Sequence, residues 1–183
     1  MRVVLFKFLI IAAMAFTTNV QAVAVSETCV SKFNHWREYA YNTERMLKYK
    51  PYASCVEWSA FQFQLPEELL YSVIYRENGG VEGRCPINPN RTKDCGPTGI
   101  NDVRMGELAK FDIDQAQLKS EPCKAIWSAA YLLRKEINKV NGDFWLGVGN
   151  YHYNRKVGPK THAIYVHHIR DAWMKLVALR PSC

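Results

Sequence analysis

The sequence predicts an all-α, single-domain, disulfide-stabilised protein, and three observations carry that reading. Apolar residues recur at helical spacing along most of the chain. No alternating apolar/polar segment long enough for a useful strand occurs. Six cysteines (Cys29, Cys55, Cys85, Cys95, Cys123 and Cys183) all follow a signal-like start, and an even count in an exported chain favours disulfides.

Residues 1–22 read as a secretory signal. Arg2 and Lys7 precede an apolar run from Phe8 to Phe16, and Val20-Gln21-Ala22 fits a small-residue cleavage site. The run is too short to require a permanent membrane span. The remainder, about 160 residues, suits one domain. Without Arg2 and Lys7 the chain has 22 basic against 17 acidic residues. That mild, scattered excess suits an anionic polymer, but no dense basic run points to nucleic acid.

A first helix is expected from Thr28 to Lys48, with Val30, Phe33, Trp36, Ala40 and Leu47 in rough period. Lys50-Pro51 ends it. Ser54 is the expected cap of a short helix from Cys55 to Phe63 that turns Val56, Ser59 and Phe63 to one side.

The next helix holds the main candidate. Pro66 suits its first turn, and Glu67 and Glu68 complement the positive end of the dipole. Gly79-Gly80 stops it. Leu70, Val73 and Ile74 form its apolar stripe, with Leu69 at the margin, and Glu77 follows them by seven, four and three positions. Those offsets centre the Glu77 carboxyl on the buried stripe. Desolvation and the negative helix end both push its pKa upward, toward the range of a proton donor near neutral pH. The plain alternative is a glutamate that ends a core helix with its head in solvent.

Residues 78–102 are rich in Gly, Pro and Asn and read as a long loop with room for a small hairpin. Cys85–Cys95 is the most local disulfide candidate there. Cys29–Cys183 and Cys55–Cys123 would complete a set, out of fifteen pairings that six cysteines allow. After the loop, residues 100–102 lead into a helix through Met105, Leu108 and Phe111. Ser120 is expected to cap the strongest helix, with Cys123, Ile126, Trp127, Ala130, Leu133, Ile137 and Val140 in period, and Asn141-Gly142 ends it. Asp143 caps a helix from Phe144 to Tyr151, in which Gly147 and Gly149 permit close approach. Gly158-Pro159 and a Thr161 cap introduce the last helix, which carries Ile164, Tyr165, His168, Ile169, Trp173, Leu176 and Val177.

No Cys-x-x-Cys, no zinc-like Cys/His spacing and no His-x-x-x-His with a neighbouring glutamate is present. His152, His162, His167 and His168 are expected on the surface or packed, with neither metal nor cofactor. The serine-hydrolase elbow and the phosphate-binding glycine loop are also missing.

Several short motifs, in order, resemble the soluble lytic transglycosylases, a branch of the lysozyme-like fold. The small members associated with secretion, conjugation and invasion systems are the most similar. The resemblance runs from about Cys55 to Ile169. Cys55-Val-Glu-Trp resembles the opening cysteine helix, and Pro66 to Gly79 the helix that ends in the catalytic glutamate. Asp94-Cys-Gly96-Pro-Thr-Gly99-Ile100-Asn101 resembles the segment usually written Gly-Leu-Met-Gln-Ile-Asn. Glu121-Pro122-Cys123 resembles the Asp-Pro-Cys start of a helix, and Val148 to His152 the Ala-Tyr-Asn motif. Asn78 stands where serine is usual, Thr98 where methionine is, Gly99 where glutamine is, and His152 where asparagine is.

The resemblance implies a lysozyme-like domain over 55–183, preceded by an N-terminal helical extension over 23–54. It implies a periplasmic enzyme that cleaves the MurNAc–GlcNAc β-1,4 bond of peptidoglycan with formation of 1,6-anhydro-MurNAc, opening the wall for a secretion, conjugation or pilus-type assembly. Glu77 would be the sole acid/base. Asn78, Gly99, Ile100, Asn101, Tyr151 and His152 would face the glycan, with Tyr151 orienting the acetamido group or Glu77. Peptidoglycan strands and secretion or conjugation components are the implied partners. A lysozyme-like hydrolase and a non-catalytic wall-binding scaffold are the alternatives.

Overall fold

The computed structural model describes residues 27–78 and 84–183, so the signal reading and the Gly79-Gly80 helix stop lie outside the described residues. The regular structure of the described residues is helical apart from one small hairpin, as the periodicity predicts. Helices α1 (Glu27–Ala40), α2 (Glu44–Leu47), α3 (Ala53–Gln62) and α4 (Glu67–Glu77) precede the antiparallel strands β1 (Asp94–Cys95) and β2 (Ile100–Asn101). Then come α5 (Met105–Leu108), α6 (Gln115–Ser120), α7 (Pro122–Lys139), α8 (Phe144–His152) and α9 (Pro159–Val177).

The expected first helix is two helices. It breaks after Ala40, and Thr43 caps α2 by accepting from the Met46 N–H. The break resets the helical phase, so Met46 is buried and Leu47 is exposed. Three expected caps differ as well. Tyr52, not Ser54, precedes α3, and Gly158, not Thr161, precedes α9. Ser120 ends α6, a helix the sequence reading did not contain, and its hydroxyl donates to the Ala116 carbonyl. Asp114 and Gln117 close a capping box at the start of α6, and Pro122 then opens α7. Asp143 caps α8 as expected, accepting from the Leu146 N–H.

Two apolar clusters fill the interior. The larger joins α1, α3, α4, α7, α8 and α9 through Trp36, Val56, Val73, Ile126, Val148 and Ile169. The N-terminal extension contributes Trp36, Tyr41, Met46 and Tyr49 to this same core. The smaller cluster lies under the hairpin, with Cys95, Ile100, Leu108, Leu118 and Leu132. Helix α8 seats closely on α7 because Gly147 lacks a side chain: a Cβ there would stand 2.4 Å from the Ile137 Cα.

All three expected disulfides are present: Cys29–Cys183, Cys55–Cys123 and Cys85–Cys95. The first ties α1 to the C-terminal tail, and Trp36 Nε1 of α1 donates to the Leu176 carbonyl near the end of α9 at 2.9 Å. Disulfides of this kind persist in oxidising compartments outside the cytosol. Among the described residues no helix is long and apolar enough to cross a membrane.

Candidate active site

Helix α4 buries Leu69, Leu70, Val73 and Ile74, and the same stripe ends in Glu77. The next residue, Asn78, turns into the left-handed region at φ 44° and gives its N–H to the Ile74 carbonyl at 2.8 Å. Asparagine tolerates that conformation, so the helix already stops at Asn78.

Glu77 opens onto a cleft of about 680 Å³ at the junction of the two apolar clusters. Gly99, Ile100, Asn101, Tyr151 and His152 line the cleft with it, as does Asp94. Asn78 does not line it, and its Oδ1 is buried without a partner. Tyr151 packs against both clusters and thereby fixes the cleft floor.

The Glu77 carboxyl is pushed up from about 4.5 to about 7. Burial is the main cause. The Tyr165 hydroxyl and the Arg76 charge work the other way, and the Asp94 charge adds to the rise. Glu77 Oε1 and the Tyr165 hydroxyl are both buried without a hydrogen bond of full geometry, so their contact is a loose one. A carboxyl poised near neutrality, with no hydrogen bond of full geometry on one oxygen, can deliver a proton and take one back.

The loop opposite is fitted to this carboxyl. Gly99 sits at φ +59°, and a Cβ there would lie 2.7 Å from Glu77 Oε2. Any side chain at Gly99 would need both a strained backbone and the space the carboxyl fills. Thr98 is buried, with its hydroxyl on the Ala125 carbonyl at 3.1 Å. The Tyr151 hydroxyl donates to the Thr98 carbonyl at 2.8 Å. It therefore holds the loop instead of touching Glu77, and Tyr165 is the hydroxyl that faces the acid. His152 is exposed as a residue, but its ring lies flat on Tyr165 at 4.4 Å. Covering of that ring, and then the Arg76 charge, hold its imidazolium below the usual histidine range.

Two residues were missed by sequence reasoning. In sequence Tyr165 is only one member of the apolar stripe of the last helix. Asp94 stands in the Asp94–Asn101 motif, which by itself assigns it no role. Its two oxygens accept from Asn101 Nδ2 at 2.7 Å and from Asn88 Nδ2 at 2.9 Å, and both amides also reach the Thr92 hydroxyl. The pairing of Asp94 with Asn101 across the hairpin sets this arrangement. The Asp-x-x-x-x-x-x-Asn spacing around a Gly-Pro turn was the one signal available for it.

His162 is buried in packing, its Nε2 at 3.2 Å from the Leu146 carbonyl. Among the described residues no group of three or more His, Cys, Asp or Glu side chains could hold a metal ion.

No family model matches the chain. It is similar to Protein IpgF of Shigella flexneri, 27% identical over 127 residues that make up 69% of this chain and 82% of IpgF. It is also similar to X polypeptide of Escherichia coli, 26% identical over 99 residues, or 54% of this chain and 58% of that protein.

Proposed function

We propose that the protein is an exported peptidoglycan lytic transglycosylase that acts in the periplasm with Glu77 as its acid/base. The observation that carries this reading is a buried carboxyl, one oxygen unpartnered, raised to about 7 and open to a cleft large enough for sugar rings. The motif order from Cys55 to Ile169 supports the same reading. Glu77 first protonates the glycosidic oxygen between MurNAc and GlcNAc. As that bond breaks, the N-acetyl carbonyl oxygen of MurNAc bonds to C1. The Glu77 carboxylate then takes the proton of the 6-hydroxyl, O6 bonds to C1, and the acetamido oxygen leaves. The product is a 1,6-anhydro ring, with no water consumed. The reaction would open the wall locally for a secretion, conjugation or pilus-type assembly.

A second reading has its own observation. Glycosidases generally use two carboxyl groups, and Asp94 faces the same cleft as Glu77, held by two side-chain amides. An aspartate so placed could stabilise positive charge at C1 while water attacks, as in a lysozyme-like hydrolase.

One product analysis tests both. Purified peptidoglycan is digested and the soluble muropeptides are weighed by mass spectrometry. The transglycosylase gives anhydro ends, one water lighter than reducing ends. Glu77→Gln should fold, still bind wall material and release nothing, a loss of at least about 100-fold. Reducing-end products, lost in Asp94→Asn, would transfer the conclusion to the hydrolase. Wall binding with no release by the native protein would favour the scaffold.

A further inference from the structure

A second concavity, of about 590 Å³, shares no lining residue with the Glu77 cleft. It is built where α1, the turn into α2, the middle of α4 and the second half of α9 meet. Much of it is made by segments outside the stretch that resembles the transglycosylases, namely residues 39–46 and 171–176. The Cys29–Cys183 disulfide ties the start of α1 to the C-terminal tail, and Trp36 Nε1 of α1 donates to the Leu176 carbonyl of α9 at 2.9 Å.

Its chemistry is one-sided. Arg45, Arg76 and Lys175 line it, and among the described residues none of the three pairs with a carboxylate. The one carboxylate in the lining, Asp171, is turned to His167 at 3.3 Å. Lys48, outside the lining, adds positive charge near Arg45; burial, and then the Arg84 and Arg45 guanidiniums, hold its ammonium below the usual range. Three cations against one carboxylate leave an excess of positive charge in the lining, and an anionic ligand reduces the repulsion among them.

Part of the remaining wall is aromatic. Tyr39 and Tyr75 are 48% and 39% exposed, and the Arg45 guanidinium lies over the Tyr75 ring at 5.1 Å. Amphipathic rings beside unpaired cations suit a ligand that alternates carboxylates with bulky apolar side chains. A nucleic acid backbone would want a longer basic track than three cations around one concavity.

We infer that this pocket binds an acidic peptide segment of a partner protein, with carboxylates on Arg45, Arg76 and Lys175 and an apolar side chain between Tyr39 and Tyr75. The inference does not rest on the reaction at Glu77, although the Arg76 charge also acts on that carboxyl, and its test does not use turnover.

The oxidised protein is titrated into a fluorescein-labelled peptide of alternating Glu, Asp and Phe, followed by fluorescence anisotropy. The same peptide with Gln and Asn for every acid serves as the comparison. The acidic peptide should bind saturably, weaken with salt and outcompete the neutral one. The double reversal R45E/K175E should weaken binding by on the order of tenfold, from two lost ion pairs and the repulsion that replaces them. R45Q/K175Q should fall between the two, and it carries the test if the reversal does not fold. Glu77→Gln should bind like the native protein. Equal binding of acidic and neutral peptides, undiminished binding by a folded R45E/K175E, or no binding at all would overturn the proposal. Tighter binding of the free wall stem peptide Ala-Glu-diaminopimelate-Ala would also overturn it, and would assign the pocket to the wall polymer.

Discussion

Gly99→Ala isolates the fit between the hairpin loop and the acid. The substitution has two separable effects. One is backbone strain: alanine at φ +59° occupies the left-handed region, which costs about 1–2 kcal/mol. For a domain of this size that lowers Tm by roughly 2–8 °C. The other is steric: the new Cβ would sit 2.7 Å from Glu77 Oε2, where ordinary contact begins near 3.4 Å. The carboxyl must therefore move by about 0.7 Å. The oxygen that moves belongs to the group that must reach the glycosidic oxygen, and a misplacement approaching 1 Å can cost about 100-fold in rate.

Gly142→Ala supplies the control. Gly142 also has a positive φ, +83°, but a Cβ there meets nothing within 4 Å. The two variants should melt alike, and only Gly99→Ala should lose muropeptide release. Thermal melts and a peptidoglycan-clearing assay on the same preparations read both effects. If Gly99→Ala clears peptidoglycan at the rate of Gly142→Ala, the placement of Glu77 against this loop has no catalytic meaning and the reasoning fails.

Two further substitutions probe the same site. Glu77 is raised from about 4.5 to about 7 in the fold, so native stability falls as pH rises through that window. Glu77→Gln removes the penalty: it should match the native protein near pH 4 and exceed it at pH 8 by about 3 kcal/mol, read from denaturant melts at both pH values. The same protonation should make kcat/KM of the native enzyme fall above pH of about 7. Tyr151→Phe takes a hydrogen bond from the Thr98 carbonyl and should lower stability by about 1–2 kcal/mol, with a partial loss of activity through the loop. A large loss of activity at unchanged Tm would show instead that the hydroxyl touches substrate.

The parts of the site that were legible in sequence are those set by local period. The offsets of Glu77 from Leu70, Val73 and Ile74 are a property of eight consecutive residues, and a helix converts them directly into a shared face. The loop glycine was legible only as a departure from a motif. Its reason, the room taken by Glu77 Oε2, exists only once α4 and the hairpin are packed. Tyr165 reaches the acid from α9, and nothing near either residue announces the meeting. Asp94 depends on hairpin register, which the dense Gly, Pro and Asn content of residues 78–102 concealed. The missed break between α1 and α2 is of the same kind. The apolar period continues through it, and the Thr43 cap is the competing signal.

Helix α4 also shows why burial of a carboxylate does not by itself mark an acid for catalysis. Glu68 and Glu77 lie on the same helix, and both carry an oxygen buried without a partner. Glu68 is more deeply buried, 1% exposed, yet its other oxygen receives Arg180 Nη1 at 2.6 Å. It sits in the first turn, where the helix dipole favours negative charge. Arg180 in turn lies over the rings of Phe33 and Trp36 and so draws the C-terminal tail onto α1. The pair of Glu68 with Arg180 therefore joins α4 to the C-terminal tail and holds structure together. At the other end of the helix the signs reverse. Glu77 occupies the last turn, where the dipole opposes its charge, no cation bonds it, and Asp94 adds a second negative charge across the cleft. A carboxyl can exchange protons near neutral pH only where its charged and neutral forms are nearly equal in free energy. The fold produces that balance by withholding from Glu77 what it gives to Glu68.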